Sequence, residues 1–191
     1  MLRDLVLKNR SYRRFHQDQP VSEETLRELV DLGRLSASGS NMQPLKYVLS
    51  CTSEANARIF PYLAWAGYLK EWGGPVEGER PAAYIVILGD KNIRADAGID
   101  HGIAAQSILL GATERGLGGC MIGAIKRAGL AQELDLPDHL EILLVLALGV
   151  PAEQVVLEEV GADGSIRYYR DAQSVHHVPK RSLDEVIIAV M

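Results

Sequence analysis

Apolar residues first fall at helical spacing at Leu2, Leu5 and Val6, which predicts a short helix from Met1 to about Lys8. Ser22 stands as an N-cap ahead of Leu26, Leu29, Val30 and Gly33, and Val21 with Leu26 forms a hydrophobic staple. A second helix is therefore expected to about Leu35, giving way to the small polar residues Ser36 to Asn41 ahead of Pro44. Tyr47 to Cys51 reads as a strand. Helical segments are expected on both sides of Pro61, the second carrying Trp65, Tyr68, Leu69 and Trp72 and ending at Gly73-Gly74-Pro75. Tyr84 to Gly89 and Ile142 to Leu148 are continuous apolar runs, the pattern of strands buried on both faces. Between them Ile99 to Arg115 predicts the longest helix, apolar at Ile99, Ile103, Ile108, Leu109 and Ala112, with Gly116 as its C-cap. Asp163-Gly164 marks a turn between the runs Val155 to Val160 and Ile166 to Tyr169, and Ser182-Leu183-Asp184-Glu185 is a capping box opening a short terminal helix. Helices alternate with buried strands without a clean βαβ repeat, so the expected class is α/β (α+β), a sheet covered by helices on both faces. With no internal repeat and no long polar linker, residues 1–191 read as a single domain.

Composition narrows the functional classes. The 191 residues are 47% hydrophobic and 24% charged, the balance of an ordinary globular chain. The longest apolar run, Ile142 to Val150, is too short to span a membrane, and Arg3 and Asp4 bring charge too early for a signal peptide. Cys51 and Cys120 stand far apart with no metal-spaced partner, which suits a reducing compartment, so a cytoplasmic location is expected. A net charge of -5 argues against broad nucleic-acid binding. Basic residues nevertheless cluster at Lys8, Arg10, Arg13 and Arg14, and again at Lys180 and Arg181. In an acidic chain such clusters point to a small anion.

Several chemistries lack their residues. There is no nucleophile elbow and no phosphate loop of the Walker type, and Gly116-x-Gly118 follows a helix and lacks the third glycine of a dinucleotide fingerprint. His176-His177 with Asp171 offers metal-binding side chains, but adjacent histidines on a strand point apart, and the stretch reads as a polar loop with no metal site. His101, beside Asp100 at a helix start, reads as a surface or capping residue.

Three stretches remain. Arg10-Ser11-Tyr12-Arg13-Arg14-Phe15 surrounds a hydroxyl with guanidinium groups; if extended, Ser11 and Arg13 share one face while Arg10 and Arg14 take the other. Ser38-Gly39-Ser40-Asn41-Met42-Gln43-Pro44 supplies hydroxyl and carboxamide groups that both donate and accept, as the edge of a heterocycle requires. Gly116 to Gly123 lets backbone N–H groups approach a flat ligand. Taken singly, each also fits a solvated basic turn, a helix-ending loop or a tight helix-to-strand turn. Their joint order along the chain is what points to one site.

In these residues the chain resembles the FMN-dependent nitroreductase family. That family commonly shows an Arg-Ser-x-Arg-x-Phe segment near the N-terminus, an Ala-Pro-Ser-x-x-Asn-x-Gln-Pro-aromatic loop, Gly-Leu-Gly after a long helix, and a basic pair near the C-terminus. The counterparts here are Arg10 to Phe15, Ser36 to Pro44, Gly116-Leu117-Gly118-Gly119, and Lys180-Arg181. Asn9 stands where a basic residue is frequent, Ala37 where proline is usual, and Leu45 where an aromatic is frequent. The resemblance implies a three-layer fold, with a mainly antiparallel central sheet flanked by helices and a C-terminal extension exchanged in a homodimer. It implies that Arg10, Ser11 and Arg13 hold the FMN phosphate and ribityl chain, joined there by Lys180 and Arg181. Ser38, Asn41 and Gln43 would reach the flavin from the other subunit, and Gly118 and Gly119 would lie near its ring.

The activity so implied is an NAD(P)H oxidoreductase reducing nitroaromatic, quinone or similar acceptors by ping-pong hydride transfer. The cofactor carries the reaction at N5, so no catalytic side chain is expected. Related readings are a flavin-binding carrier or sensor without turnover, and a flavin dehydrogenase or dehalogenase. NADH or NADPH and a small acceptor are the expected partners, with neither nucleic acid nor membrane.

Overall fold

The computed structural model describes residues 1–191. Its centre is a four-stranded antiparallel sheet in the order β1-β2-β4-β3, made of Leu45–Ser50, Ala83–Asp90, Leu140–Gly149 and Gly118–Ile122. Register is set by pairs such as Val48 with Val86, Val86 with Val145, and Cys120 with Ala147. Every residue of β2 is buried, which explains why this strand reads as an unbroken apolar run. Its alternate side chains serve two cores. Ile85 and Ile87, with Leu146 and Leu148 of β4, pack on Leu26, Leu29, Ala105, Ile108 and Leu109. Those five belong to helices α2, Glu23–Leu35, and α4, Asp100–Glu114. Tyr84, Val86 and Leu88, with Val145 and Ala147, pack on Ile59 and Leu130 of the opposite layer. That layer holds α3, Ser53–Ile59, and α5, Arg127–Glu133.

Local signals set the helix ends. Ser22 Oγ accepts from Thr25 N at 3.1 Å, as expected of an N-cap. Gly116, with φ of +77°, is the left-handed residue that ends α4, and Leu117 N reaches back to Ala112 O at 2.9 Å. Helices α2 and α4 approach closely because one side of each contact is a glycine. A Cβ on Gly111 would meet Leu32 Cδ1 at 2.2 Å, and one on Gly33 would meet Ile108 Cδ1 at 3.1 Å. The first helix, α1, is Leu2–Lys8, as its spacing predicts. No helix is long and apolar enough to cross a membrane.

Three expectations are corrected. The helix beyond Pro61 does not form. A 3₁₀ turn at Phe60–Tyr62 leads into an extended stretch in which Leu63 bridges Ile125 and Ala64 N donates to Ala124 O at 2.9 Å. Ala66 is left-handed, and two tight turns follow, closed by Leu69 N to Ala66 O at 2.8 Å and Trp72 N to Leu69 O at 2.9 Å. The aromatic residues, which look like one helical face, find separate partners. Trp65 lies 6.0 Å from Phe60, Tyr68 lies 4.9 Å from Tyr168, and Arg170 sits 4.2 Å over Trp72. With Gly67, Gly73 and Gly74 weakening any helix, these tertiary contacts prevail. Second, Ile99 lies outside α4 and is 76% exposed.

Third, the turn at Asp163-Gly164 exists but does not make a hairpin. Strand β5, Val155–Glu159, pairs in parallel with β7, His176–Lys180, and β6, Tyr169–Arg170, lies on the far side of β7. Strand β7 takes the central place, with His176 buried and His177 set between two carboxylates, Asp171 and Glu158. Up to Lys180 the C-terminal segment thus folds against its own chain. Beyond it a one-turn helix, α6, Leu183–Val186, and the residues to Met191 are exposed.

Ile108 is fully buried between α2 and the sheet. Ile108→Ala is expected to cost about 2–5 kcal/mol in urea unfolding, with an unchanged m-value.

Candidate functional site

After α1 the chain turns extended at Asn9 and runs along the edge of β3. Ser11 bridges Gly119 in parallel, Tyr12 N donates to Gly119 O at 3.0 Å, and Phe15, fully buried, bridges Pro151. The two glycines are needed by the chain itself. A Cβ on Gly118 would sit 2.5 Å from the Tyr12 ring, and one on Gly119 would sit 2.9 Å from Ala147 O. Gly123, at the other end of β3, faces open space.

A buried carboxylate fixes this segment. The Glu153 side chain is fully buried and accepts the backbone N–H of Arg13, that of Arg14 at 3.2 Å, and Arg170 Nη2 at 2.8 Å. With the backbone held, the three arginines diverge. Arg14 makes a two-point ion pair with Glu79, its Nε at 2.7 Å. Arg10 turns back to Val6 O, leaving its buried Nε without a partner. Arg13 lies 4.9 Å over the Tyr168 ring and donates to Ser11 O at 3.1 Å and to His176 Nε2 at 3.2 Å.

Arg13 also lines a pocket of about 190 Å³ whose other walls include Trp65, Gly67, Cys120, Met121 and Gly123. Burial, with Arg13 and Arg170 nearby, pushes His176 down to about 4, so its neutral ring accepts the Arg13 proton donor. Burial also raises the Cys120 thiol, against the opposing effects of Arg13 and Ser11.

The loop from Ser38 to Gln43 is built at the other end of α4. Ser38 Oγ donates to Asp100 Oδ2 at 2.6 Å, Gly39 N donates to Oδ1 at 3.0 Å, and Gln43 N donates to Ser38 Oγ at 2.8 Å. Burial opposes ionisation of Asp100, but Ser38, Gly39 N–H and Arg94 outweigh it and hold the carboxyl below its ordinary value. Ser40, Asn41 and Gln43 all have φ between +51° and +55°, and the Asn41 and Gln43 side chains are exposed. The loop is anchored at the first residue of α4, whereas the arginine segment runs along β3, which follows the other end of that helix. Lys180 and Arg181 lie at the far end of β7, about 13 Å along the strand from His176. Lys180 pairs with Glu159 across the sheet, and Arg181 bonds Glu185.

The structure thus brings Arg13 to the pocket, with Ser11 and Arg10 on the same segment, and sets the other candidates apart. From the C-terminal segment the residues that meet Arg13 are Tyr168 and His176, with Arg170 held beside them by Glu153. The histidine doublet lies on β7 rather than in a loop, its rings on opposite faces as alternation requires. Glu153, a single acid after Pro151, carries no sequence signal of its role.

Residues 6–150 match the family model for the nitroreductase family. The chain belongs to that family. The matched span includes Arg10, Ser11, Arg13, the loop from Ser38 to Gln43, and Gly118-Gly119; Lys180 and Arg181 lie outside it. Among curated relatives, an NADPH-flavin oxidoreductase of Vibrio harveyi is 26% identical over 165 residues, covering 78% of this chain and 65% of that protein. An NADPH-dependent oxidoreductase of Staphylococcus aureus is 26% identical over 167 residues, covering 78% and 64%. The chain spans just under two thirds of the length of these two relatives. Among solved structures, the V. harveyi NADPH:FMN oxidoreductase complexed with NAD+ matches at a TM-score of 0.65 and 26% identity, over 85% of this chain and 74% of that one. A nitroreductase family protein of Streptococcus pneumoniae shares the fold over 100% of both chains, at a TM-score of 0.72 and 16% identity.

Glu153→Gln in this nitroreductase-family chain is expected to cost about 3–5 kcal/mol, read by chemical denaturation, because Arg170 loses its buried counter-charge. The two histidines give opposite pH dependences. His176, folded at about 4 against an ordinary 6.5, contributes stability present above its ordinary value and lost as pH falls towards 4. His177, raised by the Asp171 hydrogen bond and by Glu158, contributes stability present below its ordinary value and lost as pH rises through its folded one. Unfolding midpoints followed across that range should show a flattened acid limb in His176→Asn and a flattened alkaline limb in His177→Gln.

Proposed function

We propose that this nitroreductase-family chain is an FMN-dependent NAD(P)H oxidoreductase, acting on nitroaromatic, quinone or similar acceptors, with its site completed in a homodimer. The observation that carries the reading is Arg13, held by a neutral histidine at the rim of a mostly apolar pocket, with Ser11 on the same face and the unpartnered Nε of Arg10 on the same segment. A phosphate monoester offers three oxygens to such donors, and a flat aromatic ring system suits the apolar wall. Bound FMN would supply the redox chemistry, accepting hydride from NAD(P)H and passing it to the acceptor.

The protein's own part is binding and orientation. Arg10, Ser11 and Arg13 hold the phosphate and ribityl chain. Gly118 and Gly119 set the depth of the wall by letting Tyr12 and β4 close behind β3, and Gly123 leaves its far end open to the ring. Trp65 and Gly67 limit access from the side. The pocket of about 190 Å³ is small beside the roughly 300–1,000 Å³ of typical ligand sites, which supports a second copy supplying the opposite wall. Ser38, Asn41 and Gln43, anchored at the opposite end of α4, come from that second copy. Ile99, Leu35 and Met42, exposed near this loop, mark the contact face. Lys180 and Arg181 face the partner together with the exposed apolar residues from Leu183 to Met191. Oxidised dinucleotide leaves before the acceptor enters the same pocket, a ping-pong order.

The purified protein should be yellow, and anaerobic NADH or NADPH should bleach it. A colourless protein that takes up no added FMN overturns the proposal, and flavin that no dinucleotide reduces leaves only a carrier. Arg13→Ala should weaken FMN binding about 10- to 100-fold, measured by fluorescence titration. Initial rates with two varied substrates should give parallel double-reciprocal lines.

A further inference from the structure

Next to the Arg13 pocket lies a wider groove of about 620 Å³, lined among others by Tyr68, Lys70, Glu71, Trp72, Arg167 and Arg170. The two share a wall. Gly67 lines the pocket and Tyr68 the groove, Tyr68 N donates to the Tyr168 hydroxyl oxygen at 3.3 Å, and Tyr168 carries Arg13 on its ring. Three cations face one acid here, in a chain whose net charge is -5. Arg170 is committed to Glu153 and lies 4.2 Å over Trp72. Lys70 and Arg167 are in no ion pair, and Arg167 sits 5.9 Å over Tyr68, which is 49% exposed.

A half-exposed Tyr68 beside a part-buried Trp72, with free cations next to them, suits a ligand that joins a flat heterocycle to phosphate. Phosphate held by arginine at such a surface is recognised through paired N–H donors, and a nearby ring stacks on the aromatic. We infer that this groove takes the 2′-phosphoadenosine end of NADPH, with the adenine on Tyr68 and Trp72 and the 2′-phosphate on Lys70 and Arg167. The inference rests on the NAD(P)H oxidoreductase reading and adds to it a preference for NADPH over NADH. The 2′-phosphate is the group that answers the two free cations: it is a monoester of nearly two negative charges, attached to the ribose that bears the adenine, whereas the pyrophosphate common to both dinucleotides carries one charge per phosphorus and lies farther from the base.

The test uses the flavin-loaded protein, with 2′,5′-ADP and 5′-ADP as calorimetric probes and NADPH and NADH as substrates. The 2′-phosphorylated probe should bind at least about tenfold more tightly, and kcat/KM should favour NADPH by a similar factor. Arg167→Ala should lower kcat/KM for NADPH about tenfold more than for NADH, through KM, with Arg167→Lys recovering part of the loss. Equal binding of the two probes, or an equal fall for both dinucleotides in Arg167→Ala, overturns the inference while leaving the oxidoreductase reading intact. Failure of both dinucleotides to reduce bound flavin overturns that reading and this inference with it.

Discussion

The arrangement around Glu153 constrains the rest of the site. A fully buried carboxylate is costly unless its oxygens are filled, and here two backbone N–H groups and one guanidinium fill them. Those donors come from two distant stretches of chain, Arg13 and Arg14 near the N-terminus and Arg170 near the C-terminus. Anchoring the backbone of adjacent residues on an extended segment leaves their side chains no choice but opposite sides. Arg14 goes to Glu79, where it closes an ion pair, and Arg13 goes to the pocket. A segment that composition alone marks as a diffuse positive cluster becomes one directed charge.

The residues that receive Arg13 are tuned to the same end. A buried neutral imidazole accepts from the Arg13 guanidinium without neutralising it, where a carboxylate would compete with the phosphate proposed to bind there. His176 is kept neutral by burial and by the two arginines beside it. Its neighbour His177, one residue along β7, faces Asp171 and Glu158 and stacks at 4.7 Å on Tyr169. Two identical side chains in sequence thus serve opposite electrostatic purposes because strand alternation delivers them to opposite environments. The small sheet formed by β5, β6 and β7 is therefore what holds the C-terminal half of the site in place.

Glycine use shows how far a sequence motif can mislead about its physical reason. Gly118-Gly119 reads as room for a ligand, yet the room is filled by Tyr12, Pro151, Leu109 and the backbone of β4. The motif matters to the site indirectly, by letting the arginine segment lie close against β3. The open position is Gly123, four residues further along the chain.

What the amino-acid order determined by itself were the features that depend on neighbours in the chain. The N-caps at Ser22 and Ser182, the left-handed end of α4 at Gly116, the two apolar runs that became β2 and β4, and the helix-on-both-faces architecture all follow from local spacing and burial period. The arginine segment and the polar loop were legible as chemistry for the same reason, since their residue types cluster in sequence. Tertiary structure alone decided which of these meet. The aromatic residues from Trp65 to Trp72 left the helical pattern because Phe60, Tyr168 and Arg170 offered better contacts from afar. Strand β7 lies between β5 and β6 in place of the expected hairpin, through pairings between stretches that are not adjacent in the chain. Glu153, Tyr168 and Arg170 entered the site through contacts more than a hundred residues from Arg13 in sequence, and no local periodicity encodes a partner at that separation.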